Sequence, residues 1–321
     1  MKSIVIYFSQ TGNTEKVARA IQAGIAQETG HCDLQEIRDA NAFRLKDYDL
    51  IGFGAPVFAG CPRNVLQCVR RMRFVGGKHA FGFCTHGTMP DNFWPDLYPA
   101  LVGPGLTVIG SADWYGNCYL LHMPQPYPTA GHPDAVDLQE AEAFGRDMVA
   151  RSLRIRAGET DLIAPVPERP PLPPFAPPEA SGEAPHEVSS YSRLLRFDKE
   201  KCLYPGCTLC MDNCPVYGMD LSVDPPILAK PCLDCEFCAR LCPTGAIDMT
   251  AWSESMENTT PAFTDRLLWC LEEAEKAGRF RRLIPLSEID PERTGYRIYT
   301  SHPQWVIGEG PQEGKGSEPR T

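Results

Sequence analysis

Eight cysteines fall in two short runs in the C-terminal third of the chain, each closed by a proline. The first run is Cys202, Cys207, Cys210 and Cys214, followed by Pro215. The second is Cys232, Cys235, Cys238 and Cys242, followed by Pro243. The second run has the spacing C-x2-C-x2-C-x3-C-P, which holds cubane iron–sulfur clusters. The first run differs only by two extra residues between its first two thiols, within Leu203-Tyr204-Pro205-Gly206. Short steps between thiolates let consecutive sulfurs wrap one face of a cubane, and the closing proline turns the chain away. Zinc favours pairs of ligands separated by a dozen or more residues, which a repeated three-cysteine run closed by C-P does not match. No ligand is missing from either run, so two [4Fe–4S] centres carrying single electrons are expected, not a [3Fe–4S] centre.

A second chemical feature lies at the other end. Ser9, Gln10, Thr11, Gly12, Asn13 and Thr14 follow an apolar run, Ser3–Ser9, and open a helical pattern, Thr14–Glu28. A helix start offers unpaired backbone N–H groups and the positive end of a dipole. Three hydroxyl side chains add donors, and Gly12 permits a tight turn. This combination binds a phosphate monoester without needing a cation. It is neither G-x-x-x-x-G-K-[ST] nor G-x-G-x-x-G, so a nucleoside triphosphate or a dinucleotide is not expected.

The loop resembles that of the flavodoxins, whose T/S-x-T-G-x-T motif residues 9–14 fit in full. The resemblance covers about the first 155 residues. It implies a flavodoxin-like, doubly wound α/β fold, with a five-stranded parallel sheet in the order 2-1-3-4-5 and FMN bound at one sheet edge. Two further loops enclose the flavin ring in that family, after strand three and after strand four or five. Here the first is Ala55–Gly60, with Pro56, Val57 and Phe58, and Phe58 is the candidate stacking face. The candidates for the second are Thr85, His86, Gly87 and Thr88 after strand four, and Asp113, Trp114, Tyr115 and Gly116 after strand five, with Trp114 and Tyr115 as candidate ring covers. Together with the cysteine runs, the whole chain resembles the flavodoxin–ferredoxin fusion proteins of anaerobes. In two-cluster ferredoxins the fourth cysteine of each run serves the other cluster. That resemblance implies Cys202, Cys207, Cys210 and Cys242 for cluster 1, and Cys232, Cys235, Cys238 and Cys214 for cluster 2.

The elements that must position these groups follow from the patterning. Apolar, β-rich runs at Ser3–Ser9, Cys32–Ile37, Leu50–Gly54, His79–Cys84 and Leu106–Ser111 alternate with helical patterns at Thr14–Glu28, Arg63–Phe74, about Asn92–Leu101 and Asp134–Arg156. Five βα units in order predict a parallel sheet covered on both faces. Nine prolines between Pro165 and Pro185 mark a semi-rigid linker. The expected division is residues 1–156 for the FMN-binding domain, 157–190 for the linker, and 191–252 for a small α+β two-cluster ferredoxin-like domain. A helical docking extension, 253–307, and a disordered tail, 308–321, complete it. Within the extension, 261–285 reads as a helix and Tyr296–Val306 as a segment that packs back onto one domain. The segment Asn117–Pro133 reads as a lid or partner-docking loop.

Of the remaining cysteines, Cys32, Cys68, Cys84 and Cys270 sit in apolar patterns and read as core. Cys61 and Cys118 fall in the flavin loops, and His86, His122 and His132 near the same face are candidate proton relays. The formal net charge of −10 excludes the basic stripe that nucleic acid requires. No stretch reaches the length of a membrane helix. Fourteen cysteines point to redox or metal chemistry in a reducing compartment, hence the cytoplasm. The expected function is electron relay between the clusters and FMN, to or from a redox partner protein. The alternatives are a self-contained flavoenzyme acting on a small substrate under Asn117–Pro133, and a subunit of a larger redox complex.

Overall fold

The computed structural model describes residues 1–58, 60–119, 123–168, 196–223, 227–228, 232–233, 235–248, 260–290 and 293. The N-terminal half is built from five parallel strands: β1 (Ser3–Tyr7), β2 (Asp33–Glu36), β3 (Leu50–Pro56), β4 (His79–His86) and β5 (Thr107–Tyr115). Their order is β2-β1-β3-β4-β5, as expected, and every neighbouring pair is parallel. Strand side chains alternate between two cores. Ile4 and Ile6 of β1 face a layer that includes Val65 and Val69 of α2 (Arg63–Arg71) and Phe93 and Leu97 of α3 (Phe93–Val102). Val5 and Tyr7 face the opposite layer, with Val17 and Ile21 of α1 (Asn13–Thr29) and Met148 and Val149 of α4 (Ala135–Arg156).

Helices α1 and α4 meet backbone to backbone. A Cβ at Gly24 would lie 2.0 Å from the Glu142 carbonyl oxygen, and one at Gly145 would lie 2.3 Å from that of Ile21. Glycine at both crossing positions allows this approach. The N-terminus of α1 follows the C-terminal end of β1.

The cysteine-rich segment forms a second, smaller unit. Strand β6 (Arg196–Phe197) pairs antiparallel with β9 (Ile247–Asp248), and β7 (Met219–Asp220) with β8 (Ile227–Leu228). Two short helices, α5 (Leu209–Asp212) and α6 (Phe237–Leu241), pack against each other. The core is small: Cys210, Met219, Leu221, Ala239, Cys242, Ala246 and Ile247. This unit touches the first one directly. Leu233 packs against the α2/α3 core, and Arg38 donates to the Asp212 carbonyl at 3.0 Å.

Helix α7 (Thr260–Lys276) is shorter than the 261–285 pattern predicts. The left-handed Gly278 (φ 70°) follows its end, and the chain then turns back onto the first unit. Leu271, Ala274 and Phe280 form a small cluster with Tyr115. Arg281 makes a bidentate pair with Asp134 at 2.7 and 2.9 Å. Asp134 is the N-cap of α4, in a reciprocal capping box with Asp137. His132, 3% exposed, completes the clamp. Its Nδ1 donates to the Asp137 carboxylate and its Nε2 to the Arg281 carbonyl. The proline linker falls mostly, and Tyr296–Val306 and the tail wholly, outside the described residues.

Candidate redox sites

The parallel sheet places the loops after β1, β3, β4 and β5 along one edge, where open α/β sheets bind ligands. There a cleft of about 570 Å³, partly open to solvent, is lined by Ser9, Gln10, Thr11, Asn13 and Thr14, by Pro56, Val57 and Phe58, and by Thr85, His86 and Gly87. Gly116, Asn117, Cys118 and Tyr119 form another wall. Two residues of the second unit, Cys235 and Arg240, complete the lining.

Gly12 is the N-cap of α1 at φ 89°, with no side chain capping the first turn. Open space surrounds the position of its missing Cβ, so the left-handed backbone, not crowding, favours glycine there. The Gly12 N–H turns back to Ser9 Oγ at 3.2 Å. Three cross-links hold the loops in register. The Thr14 and Thr85 hydroxyls bond at 2.7 Å, Asn13 Nδ2 donates to the Asn117 carbonyl at 2.9 Å, and the Gly116 N–H donates to the His86 carbonyl at 2.9 Å. Phe58 leans on Phe8, with ring centroids 6.4 Å apart.

The donor set fits a flavin mononucleotide. Hydroxyls and an uncapped helix start stand at one part of the cleft, and aromatic and apolar groups at another. Buried polar atoms of lining residues, His86 Nδ1 and Asn117 Oδ1 among them, have no hydrogen-bond partner among the described residues. Such atoms call for a ligand with polar edges.

Trp114 and Tyr115 do not line the cleft, because β5 runs on through them. Trp114 is buried against Phe144 of α4 at a centroid distance of 5.8 Å. Tyr115 lies under Phe280 at 4.7 Å and beside His86 at 4.8 Å. The strand's pleat thus commits both rings elsewhere, and Tyr119 stands at the cleft in their place. Asn117, Cys118 and Tyr119 carry no motif of their own; a longer β5 was the available signal. The Asn117–Pro133 segment is well anchored where described: Tyr127 is buried and bonds Thr88 at 3.0 Å, and Thr129 donates to the Gly116 carbonyl at 2.7 Å. His122 lies outside the described residues. Cys32, Cys68, Cys84 and Cys270 are buried, as is Cys61, whose N–H donates to Asp96 at 3.0 Å.

In the second unit the two cysteine runs interlock. Cys202, Cys207, Cys210 and Cys242 line one cavity, with Phe197, Leu203 and Ile247 among its apolar walls. Burial, then the neighbouring Cys242, Cys202 and Cys207, push the Cys210 thiol up to about 11. Cys238 is raised well above its ordinary value by burial and then by Cys235, Cys232 and Cys214. Cys242 thus lies with the first three cysteines of the other run, and Cys214 beside Cys238 of the second. Backbone N–H groups point at the sulfurs of both fourth cysteines, from Gly218 to Cys214 at 3.0 Å and from Ala246 to Cys242 at 3.2 Å. Four cysteines about one cavity, with amide donors on the Cys214 and Cys242 sulfurs, match the donor chemistry of thiolate-bound clusters.

The family model described as "Flavodoxin domain" matches residues 4–96. In the C-terminal region, a ferredoxin of Methanothermococcus thermolithotrophicus is 36% identical over 55 residues, covering 16% of this chain and 92% of that protein. The chain joins a flavodoxin domain to a region homologous to ferredoxins. An uncharacterized protein of Methanocaldococcus jannaschii is 26% identical over 154 residues, 46% of this chain and 99% of the relative. Among solved structures, a flavodoxin from the domain Archaea is 20% identical over 48% of this chain and 99% of its own, with a TM-score of 0.36. The strand order carries the fold assignment without it. No helix among the described residues is long and apolar enough to cross a membrane.

Proposed function

We propose that this electron-transfer protein binds FMN in the sheet-edge cleft and two [4Fe–4S] clusters on the interlocked cysteine sets, and relays low-potential electrons between them. The observation that carries the reading is the shared wall: Cys235, a ligand in the second set, lines the same cleft as Thr11 and Thr14. A cluster at Cys232, Cys235, Cys238 and Cys214 would then border the flavin, whereas none of Cys202, Cys207, Cys210 and Cys242 lines the cleft.

In this reading Ser9 to Thr14 hold the phosphate through hydroxyl and backbone donors. Pro56, Val57, Phe58, Thr85, His86, Gly87, Gly116 and Tyr119 surround the ring. When bound, FMN exchanges one or two electrons and each cluster exchanges one. The chain's own contribution is to fix both groups at a common wall and to exclude water from the gap with Tyr119, Phe58 and Cys118. The division into residues 1–156, 157–190, 191–252 and the C-terminal extension belongs to the same proposal, as does a separate protein that donates or accepts the electrons.

The test is anaerobic reconstitution with iron, sulfide and FMN, followed by a stepwise reductive titration. About eight iron and eight sulfide per chain are expected, as two cubanes require, with flavin absorbance and cluster signals bleaching within one protein. After rapid partial reduction, electrons should redistribute at a rate independent of protein concentration. A colourless product, or zinc without sulfide, overturns the proposal.

A further inference from the structure

Arg240 belongs to the second cysteine run, lying between Cys238 and Cys242, yet its side chain lines the cleft of the first unit. Only 8% of the residue is exposed. The guanidinium lies over the Tyr119 ring at 5.3 Å and the Phe237 ring at 5.9 Å. Its ionisable neighbours are Glu236, Cys118, Cys235 and Tyr119; burial holds its pKa below the ordinary value, and the Glu236 charge offsets only part of that. Burying a permanent cation is costly unless it meets negative charge. The phosphate loop has no need of it, since hydroxyls and a helix start already supply donors there. The aromatic company of Arg240 places it instead with the part of the cleft suited to a ring.

We propose that Arg240 is a cofactor-binding residue that the ferredoxin segment contributes to the flavin site, and that it holds the negative charge the flavin ring gains on reduction. The inference rests on the proposed FMN and cluster binding. The step it serves is simple in its balance. A reduced cluster loses one electron, the ring gains it, no bond forms or breaks, and one unit of negative charge moves across the shared wall. A fixed cation at that wall favours the state with the charge on the flavin. It is preorganised by its stacking on Tyr119 and Phe237, so little reorganisation accompanies the transfer. The flavin site is then incomplete without the ferredoxin segment, and its redox balance is set partly by a residue from the cluster motif.

The test uses the full-length, reconstituted protein and three variants: Arg240→Met, Arg240→Lys and Tyr119→Leu. Affinities for oxidised FMN and for riboflavin come from flavin fluorescence, and midpoint potentials from spectroelectrochemistry. Iron and sulfide are counted in each variant. Arg240→Met should disfavour the reduced over the oxidised flavin by at least tenfold. This lowers the potential of the affected one-electron couple by about 59 mV, while the preference for FMN over riboflavin is kept. Arg240→Lys should recover at least half of the shift, and Tyr119→Leu, which removes the stacking partner, should move the potential in the same direction by less. If Arg240→Met loses clusters, the Lys and Leu variants decide. Unchanged potentials overturn the inference. So does a loss of the FMN-over-riboflavin preference, which would place Arg240 on the phosphate. An intact chain that binds no FMN overturns the proposed function as well, so the two failures are distinct.

Discussion

Replacing His132 with asparagine tests whether the C-terminal segment is held to the first unit by a charged histidine. Both ring nitrogens face acceptors, the Asp137 carboxylate and the Arg281 carbonyl. Only the imidazolium can donate from both. Burial opposes that charge, but the hydrogen bonds to Asp137 and Arg281 and the Asp137 charge outweigh it, so the pKa is raised. With Asp134, Asp137 and Arg281 the set carries two positive and two negative charges, and neutral His132 would unbalance it. A group whose folded pKa is raised contributes fully below its unfolded value, about 6.5 for histidine. It loses that contribution as pH rises through the folded value. The clamp should therefore weaken above pH ~6.5, by up to about 1.4 kcal/mol per pH unit, or a factor of about ten in opening, until the folded pKa is passed. The assay is amide hydrogen exchange of residues 271–283, corrected for intrinsic exchange. His132→Asn should remove the pH dependence. At pH 6 it should raise opening by about 1.5–3 kcal/mol, the worth of a charge-assisted hydrogen bond. Equal protection in both proteins at pH 6, or a flat profile in the wild type, would refute the reasoning.

Other perturbations separate the two sites. Thr11→Val should weaken FMN binding by about 1.5–3 kcal/mol through loss of a hydrogen bond to the phosphate, read as a change in Kd; an unchanged Kd would remove Thr11 from the phosphate site. Cys207→Ser should degrade the cluster remote from the cleft and spare FMN affinity. Cys235→Ser should disturb both its cluster and the cleft wall, and equal effects of the two variants on flavin would contradict the shared wall. Gly145→Ala should destabilise the N-terminal unit by about 1–3 kcal/mol in urea unfolding, because α1 and α4 must part to admit the new methyl group.

The parallel sheet was legible because its strands are continuous apolar runs, which only a doubly covered sheet produces. The Ser9–Thr14 loop and both cysteine runs stand out in the sequence because a few consecutive residues carry each pattern. What escaped was non-local. The apolar run ends at Ser111, yet the strand continues to Tyr115 by pairing with His86, and that pairing takes Trp114 and Tyr115 out of the cleft. Nothing in Ala239-Arg240-Leu241 distinguishes a buried arginine from a solvated one. Its place depends on how two units separated by a long linker meet, and periodicity holds no record of that. In the same way, the 261–285 pattern could not show that the chain reverses after Gly278 and spends Phe280 on Tyr115.

The return of the chain through α7 means that the cluster-bearing segment is moored at both ends. Upstream, Leu162 rests on the core beside α4; downstream, Phe280 and Arg281 fasten onto Tyr115 and Asp134. A module tied by one strand of chain swings through a wide volume, whereas one tied twice is confined near its dock. Severing a single connection would leave the two units together, and only two cuts would set them adrift. Under the proposed relay, dilution, which slows a traffic of separate carriers, would leave the internal exchange untouched.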